Sequence, residues 1–178
     1  MTRIVALDLS LTSTGIALPD GTTLTLHSDT ALPEIRLNRL YGRLHKILEP
    51  AAPTLAIIEG YTIHAIGPLG QIRRAEWVGC AKLCLRRMRV PWVEVNPTTL
   101  KSWATGNGNA SKERMVLAAQ QAGGDPANHD EADAYLLWAL ARLTIDDLDL
   151  FADPTDRSRR LKLADDLAWP DVKELTHA

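Results

Sequence analysis

Sulfur and small aromatic rings are scarce in this chain of 178 residues: two cysteines, three methionines, three tyrosines and a single phenylalanine, beside five tryptophans. Two cysteines, Cys80 and Cys84, build neither a disulfide framework nor, alone, a four-ligand zinc site, and read as small buried apolar residues. No apolar run approaches the ~18 residues that a membrane span needs, so no membrane partner is expected. The residues after Met1 run straight into a strand-like stretch. They lack the apolar core and small-residue cleavage site of an export signal, so the cytoplasm is the expected compartment. An excess of one charge is also missing: 20 basic against 22 acidic residues leave a net charge of -2, which taken alone argues against nucleic acid as a partner. With 46% hydrophobic and 24% charged residues, disorder, collagen and coiled coil are excluded. The length suits one domain, with or without a tail.

The near-zero charge is an average over unlike segments. Residues 36 to 46 hold Arg36, Arg39, Arg43 and Lys46 with no acid, a local +4. Residues 73 to 101 hold seven basic residues, among them Arg73, Arg74 and Lys101, against Glu76 and Glu94, a local +5. Residues 125 to 156 hold nine acids against Arg142, a local -8. A basic face for phosphates and an acidic site for metal coexist readily within a neutral total. The plainer reading of each run is a solvated helix face.

Periodicity orders the elements. Arg3 to Leu9 reads as a buried strand, Thr14 to Leu18 as a second, and Thr22 to Leu26 as a third beyond the Pro19-Asp20-Gly21 turn. Pro33 opens a helix to about Leu48, ended by Pro50 and Pro53. Leu55 to Glu59 is a short apolar strand of the kind that lies centrally in a parallel pair. A Gly-rich loop leads to a helix over about 68–88, and Pro91 precedes a strand from Trp92 to Val95. Asn96 caps a short helix with Pro97 at its first position, Ser111 caps the next, which ends at Gly123-Gly124, and the last clear helix spans about His129 to Leu143. Beyond Thr144 the pattern weakens into a helical appendage or loose tail. The order predicts an α/β fold: a mixed five-stranded sheet, three antiparallel strands and then two parallel ones, flanked by helices.

Asp8 and Glu59 each end an otherwise apolar strand, where an acid meets desolvation unless something compensates. Open sheets place ligands at such strand ends. Asp130 and Asp133, three apart on the first turn of the last helix, would by themselves be read as acids favoured by the helix dipole. That helix's apolar side (Ala132, Leu136, Ala139, Leu143) packs on the sheet and brings its first turn within reach of the strand-end acids. Four converging carboxylates without matching cations cannot all stay ionised unless metal is present. All-oxygen ligation suits Mg²⁺ or Mn²⁺, and two such ions serve phosphodiester hydrolysis.

Three stretches in order, Ala6-Leu7-Asp8-Leu9-Ser10-Leu11-Thr12-Ser13-Thr14-Gly15, Ala56-Ile57-Ile58-Glu59 and His129-Asp130-Glu131-Ala132-Asp133-Ala134, resemble the RuvC-type Holliday junction resolvases of the RNase H-like nuclease superfamily, from about residue 3 to 143. The resemblance implies an RNase H-like nuclease domain over 1–143, with 144–178 as an appendage or tail outside it. It implies a homodimer, in contact through the 68–88 helix, that nicks four-way DNA junctions with Mg²⁺ or Mn²⁺, two ions per site. Asp8, Glu59, Asp130 and Asp133 are then the metal ligands and catalytic acids. Lys101 and Lys112 match family lysines that serve DNA contact and catalysis, and Arg73, Arg74, Ser10 and Tyr61 join the DNA-contacting set. Leu9-Ser10 stands where the bacterial pattern has Pro-Gly, and Thr62 where it has an aromatic wedge. These departures suit a phage-encoded branch.

Other readings share some of these residues. A nuclease of the same fold acting on flaps, other branched DNA or RNA-DNA hybrids would use the same acids. A non-catalytic junction-binding protein would not need all four. The Asp8 to Gly15 stretch is similar to the phosphate loop of actin-like kinases, which require two such domains and more chain than 178 residues.

Overall fold

The computed structural model describes residues 2–28, 32–60, 67–151 and 153–170. Five strands, β1 (Ile4–Asp8), β2 (Ser13–Ala17), β3 (Thr23–His27), β4 (Leu55–Glu59) and β5 (Trp92–Val95), form one sheet in the order β3-β2-β1-β4-β5. β1, β2 and β3 pair antiparallel, and β4 and β5 join parallel to β1. The expected mixed sheet is therefore the observed one. The reason is local: β1 and β4 are apolar on both faces and fully buried there, as central strands must be. β3 (Thr-Leu-Thr-Leu-His) alternates and takes an edge. Gly21, with φ of 87°, and Asp20, whose carboxylate accepts from Thr22 N at 3.0 Å, close the β2–β3 turn.

Helices cover both faces. On one lie α1 (Pro33–Ala51) and α2 (Pro68–Arg87), whose Leu40, Leu44, Leu48, Trp77, Ala81 and Leu85 meet Val5, Leu7, Ala56 and Ile58 of the sheet. On the other lie α3 (Pro97–Thr105), α4 (Lys112–Gln121), α5 (His129–Asp146) and α6 (Arg157–Asp165), packed against Ile4, Ala6, Ile57 and Val93. Two caps act as the sequence suggests, Asn96 accepting from Thr98 N and Ser111 from Arg114 N, and the structure adds a third, Asn128 accepting from Glu131 N. Two helices outrun expectation by three residues. α1 continues through Pro50 and stops where Ala52 turns left-handed, with its N–H on the Leu48 carbonyl. α5 runs on to Asp146, because α4 and α6 cover its outer side and bury it nearly all round.

The described residues after Thr144 pack on this second face. Ala164 of α6 is fully buried, Phe151 meets Trp103 edge-on at 5.5 Å, and the buried Arg160 pairs with Asp149 at 2.7 Å beneath the Phe151 ring. Among the described residues no helix is long and apolar enough to cross a membrane.

The parallel register places Leu7 opposite Ile58. Asp8 and Glu59, the next residues of their strands, therefore emerge side by side. The first turns of α3, α4 and α5 gather at the same end.

Candidate active site

Asp8 is the last residue of β1 and almost completely buried; Glu59 ends β4 half-buried. The first turn of α5 lies over them because position 15 is glycine. A Cβ built on Gly15 would stand 2.0 Å from the Asp130 carbonyl oxygen, so only a residue without a side chain lets α5 approach β2 this closely. The Ser13 hydroxyl donates to Asp130 Oδ2, and Asp130 and Asp133 face inward. All four acids line one cavity of about 560 Å³, together with Ser10, Leu11, Thr12, Arg74, Lys101, Lys112 and His129.

Electrostatics marks this cluster. Burial, the nearby carboxylates of Glu59 and Asp133, a hydrogen bond to Glu59 and the charge of Asp130 hold the Asp8 carboxyl well above the usual range. Burial and Glu59 push Asp133 up to about 7, against the opposing pull of Lys101 and Lys112. Asp133 Oδ1 is buried without a hydrogen-bond partner. An orphaned acceptor and two carboxyls driven toward protonation are what an all-oxygen cation site shows when protons take the cation's place. Among the described residues, no group of three or more His, Cys, Asp or Glu side chains stands close enough together to hold a metal ion as it is. Carboxylate oxygens alone are the donor type that hard divalent cations take.

The cluster is better compensated than the sequence suggests. Arg74, one turn before Trp77 on α2, donates to Glu59 Oε2 at 3.2 Å and to the Leu9 carbonyl at 3.1 Å, joining both strand ends. Lys101 on α3 and Lys112 at the start of α4 line the cavity, so four carboxylates face three cations and a histidine. Arg73 is half-buried outside the cavity lining, and Tyr61 lies outside the described residues.

Four participants escaped the sequence reading. His129 Nε2 lies 2.8 Å from Lys112 Nζ and 3.1 Å from Asp130 Oδ1. Thr14, fully buried, accepts from Trp77 Nε1 at 3.0 Å and donates to the Ser10 carbonyl at 2.7 Å, which shapes the loop after Asp8. Ser13 holds Asp130. Glu131, nearly buried, accepts from Thr23 Oγ1 at 3.0 Å, Thr25 Oγ1 at 2.6 Å and Ala127 N at 3.0 Å. Burial raises its pKa, but these three donors outweigh it and leave Glu131 below the usual range. The one sequence signal for it is an acid next to Asp130 that the helix period turns away from Asp133.

A mixed sheet of this order, with acids at the ends of two adjacent parallel strands and on the first turn of the closing helix, is the RNase H-like architecture. The particular proteins to which this chain is similar, in sequence and in fold alike, are the RuvC-type crossover junction endodeoxyribonucleases. RuvC of Gloeobacter violaceus is 31% identical over 104 residues, 57% of this chain and 59% of that protein. RuvC of Anaeromyxobacter dehalogenans is 34% identical over 104 residues, 56% of this chain and 54% of that protein. The matched stretch thus spans between half and three-fifths of those relatives. RuvC of Thermus thermophilus has the same fold: TM-score 0.59 at 20% identity, covering 75% of this chain and 89% of that one. The same protein in complex with a Holliday junction substrate gives 0.63 at 18% identity, covering 77% and 90%. No protein-family model matches the chain.

Proposed function

We propose that this chain is a structure-selective endodeoxyribonuclease that resolves four-way DNA junctions by metal-dependent phosphodiester hydrolysis, as a homodimer. The observation that carries the reading is the convergence of Asp8, Glu59, Asp130 and Asp133 at one sheet end, with an orphaned buried carboxylate oxygen and two lysines at the rim. On this reading residues 1–143 hold the chemistry, and 144–178 form an appendage whose described part braces α3 and α5.

The four carboxylates would hold Mg²⁺ or Mn²⁺, two ions per site. Bound there, the ions would polarise the phosphate and make water nucleophilic at neutral pH. The chain's own groups do the positioning. Ser13 orients Asp130, and Arg74 aligns Glu59 with the loop carrying Ser10. Lys112 Nζ and Asp130 Oδ1 both meet His129 Nε2, at 2.8 and 3.1 Å, so the imidazole holds the lysine beside the acid at the cleft wall. Lys101 adds a second positive charge for the phosphate. Ser10 supplies a hydroxyl to the backbone and Arg73 a charge further along it, and Tyr61 joins the DNA-contacting set on the strength of the sequence alone.

The second copy would cover α2, where Leu69 (61% exposed), Ile72 (58%) and Leu83 (49%) form an apolar stripe along the helix.

A cleavage panel tests this: four-way junction, flap, RNA-DNA hybrid and linear duplex with Mg²⁺, for the wild type and Asp8→Asn. The junction should be nicked in symmetric strands and the duplex left intact. Asp8→Asn should bind the junction yet cut at least about a thousandfold slower. Equal cutting of linear duplex refutes the junction reading, and an active Asp8→Asn refutes the site.

A further inference from the structure

Helix α1 carries a feature that the site does not use. Arg36, Arg39, Arg43 and Lys46 follow one another at steps of three, four and three, and no acid lies between them. That spacing draws one stripe along the helix, about 15 Å long. Arg39, Arg43 and Lys46 are exposed and Arg36 is half-buried.

Three observations place the stripe relative to the carboxylates. The first is length. Nineteen helical residues extend about 28 Å, while five-residue strands extend about 17 Å. The C-terminal end of α1 is tied down at the far end of the sheet, where Arg3 Nε donates to the Ala52 carbonyl at 2.5 Å. The surplus therefore projects past the end where Asp8 and Glu59 emerge. Burial follows the face: Leu40, Leu44 and Leu48 are buried and Leu37 packs beside them, whereas Leu32 and Ile35, on the outward side with the basic stripe, are exposed. The second is orientation. Tyr41 is on the α2 side, approached by Arg87 Nη1 at 3.5 Å. The basic stripe takes the other flank, and Arg43 Nη1 donates to the His27 carbonyl at the end of β3 at 2.6 Å. The third is continuity. His27 pairs with Ser13, whose hydroxyl donates to Asp130. From cluster to stripe the path crosses only the ends of β2 and β3.

We infer that this flank of α1 is a rail for the phosphate backbone of a duplex DNA arm leaving the cleavage site. The inference rests on the function proposed above and names how that substrate is held. A stripe of 15 Å matches about four phosphates of one strand at 3.4 Å axial spacing. Its donors stand on a convex helix flank, so it takes hold of backbone and not of base edges, and the hold is independent of sequence. It faces away from α2, and a second copy seated there leaves it open.

The test compares wild type with Arg39→Ala/Lys46→Ala on junctions with long arms and with arms cut to about 6 base pairs, in EDTA for binding and in Mg²⁺ for cleavage. For long arms the double variant should bind roughly tenfold more weakly near 0.15 M salt, and its salt dependence should flatten by about 1.8 in slope, about 0.9 per lost contact. On short arms the two proteins should bind alike, and cleavage at saturating protein should be unchanged on both. Arg39→Glu should weaken long-arm binding further. An unchanged salt slope, or a loss equal on short and long arms, overturns the rail and makes the stripe a solvated helix face. A wild type that neither binds nor cuts any junction overturns the function reading itself, and the rail with it.

Discussion

Asp133 carries a titration consequence that separates protons from metal. Burial and Glu59 raise it to about 7 and raise Asp8 in the same direction. In the ion-free protein the folded state therefore holds more protons than the unfolded chain between about pH 4 and 7, and stability falls as pH rises through that window. A divalent cation replaces those protons. Mg²⁺ should raise the melting temperature clearly at pH 8 and little at pH 5. Thermal unfolding with EDTA or Mg²⁺ at both values reads this out, and curves that superimpose at pH 8 would refute the cation site. Gly15 gives a steric prediction at the same scale. Gly15→Ala drives a methyl into the Asp130 carbonyl, so α5 must lift from β2. The cost should be about 3 kcal/mol or more in denaturant unfolding, with cleavage lost because Asp130 and Asp133 retreat from Asp8 and Glu59.

Among the elements, the junction of β3 with α5 sets the site's shape. The Glu131 carboxylate binds two threonines of the edge strand and the Ala127 N–H, while Asn128 donates to Thr25 Oγ1 at 2.8 Å and caps the helix with its other atom. The acidic helix start is thus locked to the strand next to the one carrying Gly15 and Ser13. Glu131→Ala leaves two hydroxyls and an amide unsatisfied, and should cost about 3 kcal/mol by urea unfolding. Glu131→Gln keeps the shape but turns an N–H₂ toward donors, and should recover only part of it. Equal stability of wild type and alanine variant would remove the clamp. The apolar strands, the Asn96 and Ser111 caps and the closing helix were all legible, because each depends on residues within a few positions of one another. The clamp was not, since its threonines lie more than a hundred positions from Asn128 and Glu131.

For the whole molecule, the two faces of the sheet take different tasks. α1 and α2 present the basic stripe and the apolar stripe outward, while α3 to α6 enclose α5 and hold its first turn still. The exposed Leu69 and Ile72 predict that Leu69→Glu/Ile72→Glu yields a monomer in sedimentation with an unaltered fold by circular dichroism. A monomeric wild type would exclude α2 as an interface. The net charge of -2 also resolves at this scale, because four acids, Asp8, Glu59, Asp130 and Asp133, line the cavity while the exposed arginines of α1 stand outside it.

The amino-acid sequence by itself determined the element order, the mixed sheet and the candidate acids. Alternation, helical period and capping are local, and strand ends follow from where apolar runs stop. Only the tertiary structure decided what surrounds those acids. Arg74 on Glu59, His129 between Lys112 and Asp130, Glu131 on β3 and the overhang of α1 depend on how far one element reaches past another. Such distances are set by packing across the sheet, where a glycine at position 15 or a helix longer than its strands matters more than the identity of any neighbour in sequence.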